Sequence, residues 1–172
     1  SPRWLWFDLF LNTRILPNQR GFFNFYDLNI SFNSGFRDPD LSKFKEKGGK
    51  MILYHGWADS IVTPWLTVDY YETVVKKMGG LEQTQEFFRL FMVPGMDHCS
   101  ILPGKGPDKF DVLTALENWV EKGVAPAHII ASKLAKEGKV VCTRPLCVYP
   151  KVAKYKGTGS PDDAANFTCV GQ

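Results

Sequence analysis

Asp59 and His98 are the two residues of this sequence whose types and placement best suit proton-transfer chemistry. An imidazole can take up and return a proton near neutral pH. A carboxylate that accepts the proton of one ring nitrogen fixes the tautomer and stabilises the imidazolium that forms. The pair stands 39 residues apart, in His55-Gly-Trp-Ala-Asp59 and Gly95-Met-Asp-His98. Asp97 competes as the acid, but adjacent side chains do not readily reach triad geometry, so Asp59 is the expected partner. His55 opens a glycine-containing turn and reads as a structural hydrogen-bonder. His128 follows Ala125-Pro-Ala and reads as exposed. Trp57, Ile61 and Val62 flank the acid; Ile61 and Val62 are the candidate substrate contacts, and packing is the expected role of Trp57.

For Asp59 and His98 to meet, their loops must leave the same edge of one sheet. Lys50–Tyr54 and Phe88–Val93 are short apolar runs without alternation, as expected of parallel strands buried on both faces. Functional groups in open α/β sheets lie on loops at the carboxyl ends of strands, and both candidates follow such ends. Between the strands, Thr63-Pro64 starts a helix with apolar Trp65, Val68, Tyr71, Val74, Val75 and Met78, stopped by Gly79-Gly80. A further helix is expected from about Asp108 to Lys122, with Phe110, Val112, Leu113, Leu116, Trp119 and Val120 inward. An earlier one begins near Asp38-Pro39 and ends at Gly48-Gly49. Residues 124–172, with Pro145, Pro150 and Pro161, read mostly as irregular chain. Strand, helix, strand, helix is the order of a parallel α/β sheet. Two strands do not make a stable sheet alone, so the expected architecture is the closing part of a larger α/β domain.

Composition sets wider limits. The 172 residues are 44% hydrophobic and 23% charged, an ordinary globular balance for about one domain. A net charge of +3, scattered along the chain, gives no electrostatic footprint for nucleic acid. No apolar run approaches the ~18 residues of a membrane span. Cys99, Cys142, Cys147 and Cys169 allow three full pairings and have no zinc-site spacing. Sequons at Asn29 and Asn166 add to the cysteines in favouring an oxidising, secretory environment. The chain starts at Ser1 without a secretion signal, as expected of a processed chain or a partial sequence. Residues 1–36 carry 10 of the 24 aromatics and read as a segment packed against a larger body or, as the alternative, a pocket wall for a ring-bearing ligand.

Several motifs in fixed order carry a family resemblance: Asp38-Pro-Asp-Leu-Ser-Lys-Phe44, Gly48-Gly-Lys-Met-Ile-Leu-Tyr-His-Gly-Trp-Ala-Asp59, Val93-Pro-Gly-Met-Asp-His-Cys99, Thr143-Arg-Pro-Leu-Cys147-Val-Tyr-Pro150 and Asn166-Phe-Thr-Cys169. From about residue 36 to its end the chain resembles the tannase/feruloyl esterase family, which includes mono(2-hydroxyethyl) terephthalate hydrolases. The resemblance implies a secreted α/β-hydrolase with a lid domain that cleaves esters of aromatic carboxylic acids. Asp59 would be its acid and His98 its base, with no cofactor in the chemistry. Cys99 would bridge to a cysteine just before the nucleophilic serine, and Cys147 would pair with Cys169. Residues 1–36 would be the return from the lid, and residues 37–172 the C-terminal part of the catalytic domain.

The sequence departs from that family in lacking a Cys-Ser-x-Gly-Gly nucleophile motif. The lid and the structural calcium it would hold are missing as well, and Cys142, with no assignable family position, is either free or an alternative partner for Cys99. The leading expectation is a serine esterase whose nucleophile lies outside this sequence, so that this chain alone is inactive. Two alternatives are a subunit held to the serine-bearing remainder through Cys99, and a non-catalytic remnant acting as a binding module.

Overall fold

The computed structural model describes residues 38–98 and 105–171. In chain order these form α1 (Ser42–Glu46), β1 (Met51–Gly56), α2 (Pro64–Lys77), α3 (Leu81–Gln85), β2 (Phe88–Val93), α4 (Val112–Lys122), β3 (His128–Leu134), β4 (Val140–Cys147), β5 (Val152–Tyr155) and β6 (Phe167–Val170). Residues 1–36, Asn29 and Cys99 lie outside the described residues.

The two apolar runs are the expected parallel pair. β1 and β2 run side by side in register from Met51 opposite Phe88 to Gly56 opposite Val93. Successive side chains on a strand point to opposite faces, and here each face has its own cover. Ile52, Phe91 and Val93 pack with Leu116 and Trp119 of α4 and with Ile129, Ala131 and Leu146. Leu53, Leu90 and Met92 pack with Val68, Tyr71 and Val74 of α2. Burial on both faces is why neither strand shows a polar alternation.

Helix boundaries follow local chemistry. Asp111 caps α4 by accepting the Thr114 N–H at 2.9 Å, and Gly123 ends it in the left-handed conformation at φ 70°. α4 therefore begins at Val112, four residues later than the sequence suggests, and Phe110 precedes it. α1 likewise starts only at Ser42, because Asp38 and Asp40 turn back onto the N–H groups of Asp40 and Ser42. Helical period places Trp65 and Leu113 inward, yet they are 64% and 49% exposed. Trp65 lies in the first turn of α2 and stacks edge-on with Trp57, ring centres 5.1 Å apart.

Residues 124–172 correct the expectation of irregular chain. β3 and β4 form an antiparallel hairpin, and β5 and β6 a second antiparallel pair. Ile129 and Ala131 face the core while Ile130 points outward, the period-2 alternation of a half-buried strand. The hairpin turn closes through the Ala135 N–H on the Lys139 carbonyl. Pro145 is tolerated because a two-stranded sheet has only edge strands. Leu81–Gln85 is a further helix that the apolar pattern does not signal.

Cys147 and Cys169 are joined in a disulfide that ties β4 to β6 across 22 residues, and Cys142 is a free thiol. Closing a loop of that size stabilises the fold by about 3 kcal/mol on the chain-entropy estimate. A Cys147→Ala/Cys169→Ala double variant should therefore lose about 3 kcal/mol in urea unfolding, with a steeper slope because the unbridged unfolded chain expands. An unchanged midpoint would show that the bridge restrains nothing in the unfolded chain.

Candidate active site

The carboxyl ends of β1 and β2 lie next to each other, and each opens into one of the two loops. β1 extends through His55 and Gly56, so the first loop starts at Trp57 rather than at His55. Gly56 is needed where it stands: a Cβ there would run into the Met96 backbone carbonyl of the second loop. The Trp57 N–H donates to the Val93 carbonyl at 2.9 Å and the Ala58 N–H to the Met96 carbonyl at 3.1 Å. The loops are in direct backbone contact before any side chain is considered.

Asp59 and His98 meet at this junction. His98 Nδ1 lies 2.9 Å from Asp59 Oδ2 and 3.1 Å from Oδ1. An ionised carboxylate only accepts, so Nδ1 carries the proton, which leaves Nε2 at the far end of the ring able to accept one. The Asp59 side chain is 1% exposed and that of His98 is 11% exposed, so the carboxylate is shut away while the imidazole retains an opening.

Asp59 is held charged by its donors. Burial works to raise its proton affinity. Hydrogen bonds from the Val62 N–H, His98, the Ile61 N–H and His55 outweigh burial and hold the carboxyl below the ordinary aspartate range. The Ile61 and Val62 N–H groups reach Oδ1 at 2.9 and 2.8 Å. These two residues, singled out as substrate contacts, thus serve the acid through their backbone, while the Ile61 side chain is 68% exposed beside it.

Asp97 has a different role from Asp59. Its Oδ1 accepts the Ser60 N–H at 3.1 Å, the Ser60 hydroxyl at 3.0 Å and the His98 N–H at 2.6 Å. Those donors, the His98 N–H foremost, lower its proton affinity, and the carboxylate stitches the acid loop to the histidine loop.

His55 is drawn into the site as well. Its Nε2 lies 3.0 Å from Asp59 Oδ2 and its Nδ1 lies 2.6 Å from the Thr67 hydroxyl on α2. It is a hydrogen-bonder, as its position suggests, but one that shares the acid with His98. The four-residue spacing of His55 and Asp59 across a tight strand-to-loop turn is the signal that points to this contact. Trp57 covers Trp65 and is partly exposed at the rim. His128 is exposed at the start of β3, opposite Cys147 of β4. The Asn166 side-chain amide donates to the Ser160 carbonyl at 2.9 Å, on the β5–β6 connection.

A carboxylate that accepts the Nδ1–H of a partly open histidine is an arrangement suited to acid–base chemistry. The family model for tannase and feruloyl esterase matches residues 25–170, which includes both loops. The chain belongs to the tannase and feruloyl esterase family. The mono(2-hydroxyethyl) terephthalate hydrolase of Piscinibacter sakaiensis is 47% identical over 138 residues, covering 79% of this chain and 22% of the relative. A probable feruloyl esterase of Arthroderma benhamiae is 39% identical over 138 residues, covering 80% and 26% respectively. Among solved structures, feruloyl esterase B from Aspergillus oryzae superposes with a TM-score of 0.68 at 36% identity, over 77% of this chain and 29% of that one. The chain thus spans between a fifth and a third of the length of these family members.

Among the described residues no cluster of three or more His, Cys, Asp or Glu is placed to hold a metal ion. Among the same residues no helix is long and apolar enough to cross a membrane.

Proposed function

We propose that this chain is the C-terminal part of a secreted carboxylic ester hydrolase with an α/β-hydrolase sheet, acting on esters of aromatic acids. The Asp59–His98 contact at 2.9 Å is the observation that carries this reading. A serine outside the 172 residues attacks the ester carbonyl, and its hydroxyl proton passes to Nε2 of His98. The tetrahedral intermediate then collapses, the bond to the alcohol breaks, and His98 returns the proton to that oxygen. Water repeats the sequence on the acyl-enzyme: His98 takes its proton, the acid leaves, and the serine is regenerated. Asp59 keeps its charge throughout and holds His98 in the tautomer with Nε2 unprotonated.

The family relatives support the substrate class, since one is named for a terephthalate ester and others for feruloyl esters. In the whole protein Cys99 would bridge to the cysteine before the nucleophile, and the exposed side chain of Ile61, with Val62, would border the substrate. Any calcium would be held by a lid rather than by the residues described here, and no step uses it.

Without nucleophile or oxyanion donors the two remaining groups have little to act on. The isolated 172-residue chain should therefore hydrolyse methyl ferulate no faster than buffer. The protein extended upstream through a Cys-Ser-x-Gly-Gly segment should hydrolyse it and be labelled by a serine-directed organophosphonate. Turnover by the pure isolated chain, or an active extended protein that resists the organophosphonate, would overturn the assignment.

A further inference from the structure

A mechanism with Asp59 and His98 alone leaves His55 without a task, although its side chain is 1% exposed and both ring nitrogens have partners. The direction of its hydrogen bonds follows from its neighbours. Asp59 is an ionised acceptor, so His55 must donate its Nε2–H to Oδ2. Nδ1 lies 2.6 Å from the hydroxyl of buried Thr67 on α2 and can accept its proton. A buried imidazole must have its polar atoms satisfied, and here both ring nitrogens are.

We propose that His55 is a positioning residue that locks the carboxylate of Asp59 in the orientation that grips His98. The loop N–H groups of Ile61 and Val62 hold Oδ1, and the strand imidazole holds Oδ2. Clamped at both oxygens, the carboxylate cannot turn away when His98 takes up and releases its proton. His55 acts through Asp59 and touches no substrate. This inference rests on the reading of Asp59 and His98 as acid and base. The titratable groups gathered at this junction are Asp59, His55, Asp97 and His98 itself.

The test uses the nucleophile-bearing full-length protein with two substitutions at one position. His55→Leu removes the donor and the acceptor. His55→Gln restores both, since its amide nitrogen can donate to Asp59 and its carbonyl can accept from Thr67. His55→Leu should lower kcat by about 10²-fold, the scale of a misplaced catalytic group, with KM within about threefold. The ascending limb of kcat/KM should move to higher pH, because Asp59 keeps more of its charge for the His98 imidazolium. His55→Gln should recover most of the rate and return the limb.

Folded His55→Leu with unchanged kcat and limb would sink the proposal, as would a folded His55→Gln that recovers neither. Should His55→Leu not fold, nitrogen-15 histidine spectra of the full chain decide: His55 is expected to carry its proton on Nε2 with Nδ1 bare, and the reverse tautomer would refute the clamp. The acid–base reading fails separately. It falls if His98→Ala leaves activity intact, whereas the clamp alone falls if His98→Ala is inactive and His55→Leu is not.

Discussion

Replacing His98 with alanine in the nucleophile-bearing protein should lower kcat by about 10⁶-fold, the loss seen when one member of a catalytic triad is deleted. The size follows from what the imidazole does twice in each turnover. In the proposed mechanism it removes the serine proton during attack and protonates the leaving alcohol, and nothing described beside it can take over. The neighbouring His55 has its Nε2–H committed to Asp59 and its Nδ1 to Thr67. KM should stay within about threefold, because the group acts on the reacting atoms and not on the bound ground state. Steady-state kinetics on methyl ferulate read both quantities. A His98→Ala variant with more than a thousandth of the parent kcat would be about 10³-fold too active for a catalytic base and would end the triad reading.

Asp59→Asn should cost about 10⁴-fold in kcat, as expected when the acid of a triad becomes an amide. The local geometry explains why the substitution is severe although it changes no shape. Oδ1 faces the N–H groups of Ile61 and Val62, and Oδ2 faces His55 Nε2 and His98 Nδ1. Whichever position the new NH2 takes, a donor meets donors. Facing the histidines, it forces His98 to accept at Nδ1 and to carry its proton on Nε2, where the ring cannot act as base. Facing the loop, it loses two backbone hydrogen bonds to a buried group, at about 1–3 kcal/mol for each polar group left unsatisfied. Kinetics together with a thermal melt separate the two outcomes. Activity within tenfold of the parent in a folded Asp59→Asn protein would remove Asp59 from the mechanism.

Much of the site is legible in the sequence, because strand ends in a parallel sheet constrain where loops can go. Two continuous apolar runs fix two strands, and their carboxyl ends fix the neighbourhood of Asp59 and His98. The less legible features depend on contacts that no local period encodes. Trp65 and Leu113 fit an inward helical stripe, but each sits in the first turn of its helix and is largely exposed. The β3–β4 hairpin hides behind Pro145, which argues against a central strand but not against an edge. Its alternation of Ile129 and Ala131 with outward Ile130 was the signal to weigh against the proline. The double use of Asp59 by two imidazoles depends on Gly56 letting the second loop approach the first. The Asp97 stitch depends on two loops that meet only once folded.

Asp97, Ser60 and the glycine contact at Met96 bind the two loops at several points. Segments fastened in that way travel as one body rather than hinge against each other. Whatever breathes when ligand enters or product departs, the carboxylate and the ring keep their mutual spacing. In the proposed hydrolase, any motion that admits ligand or releases product would then have to come from elements other than these two loops.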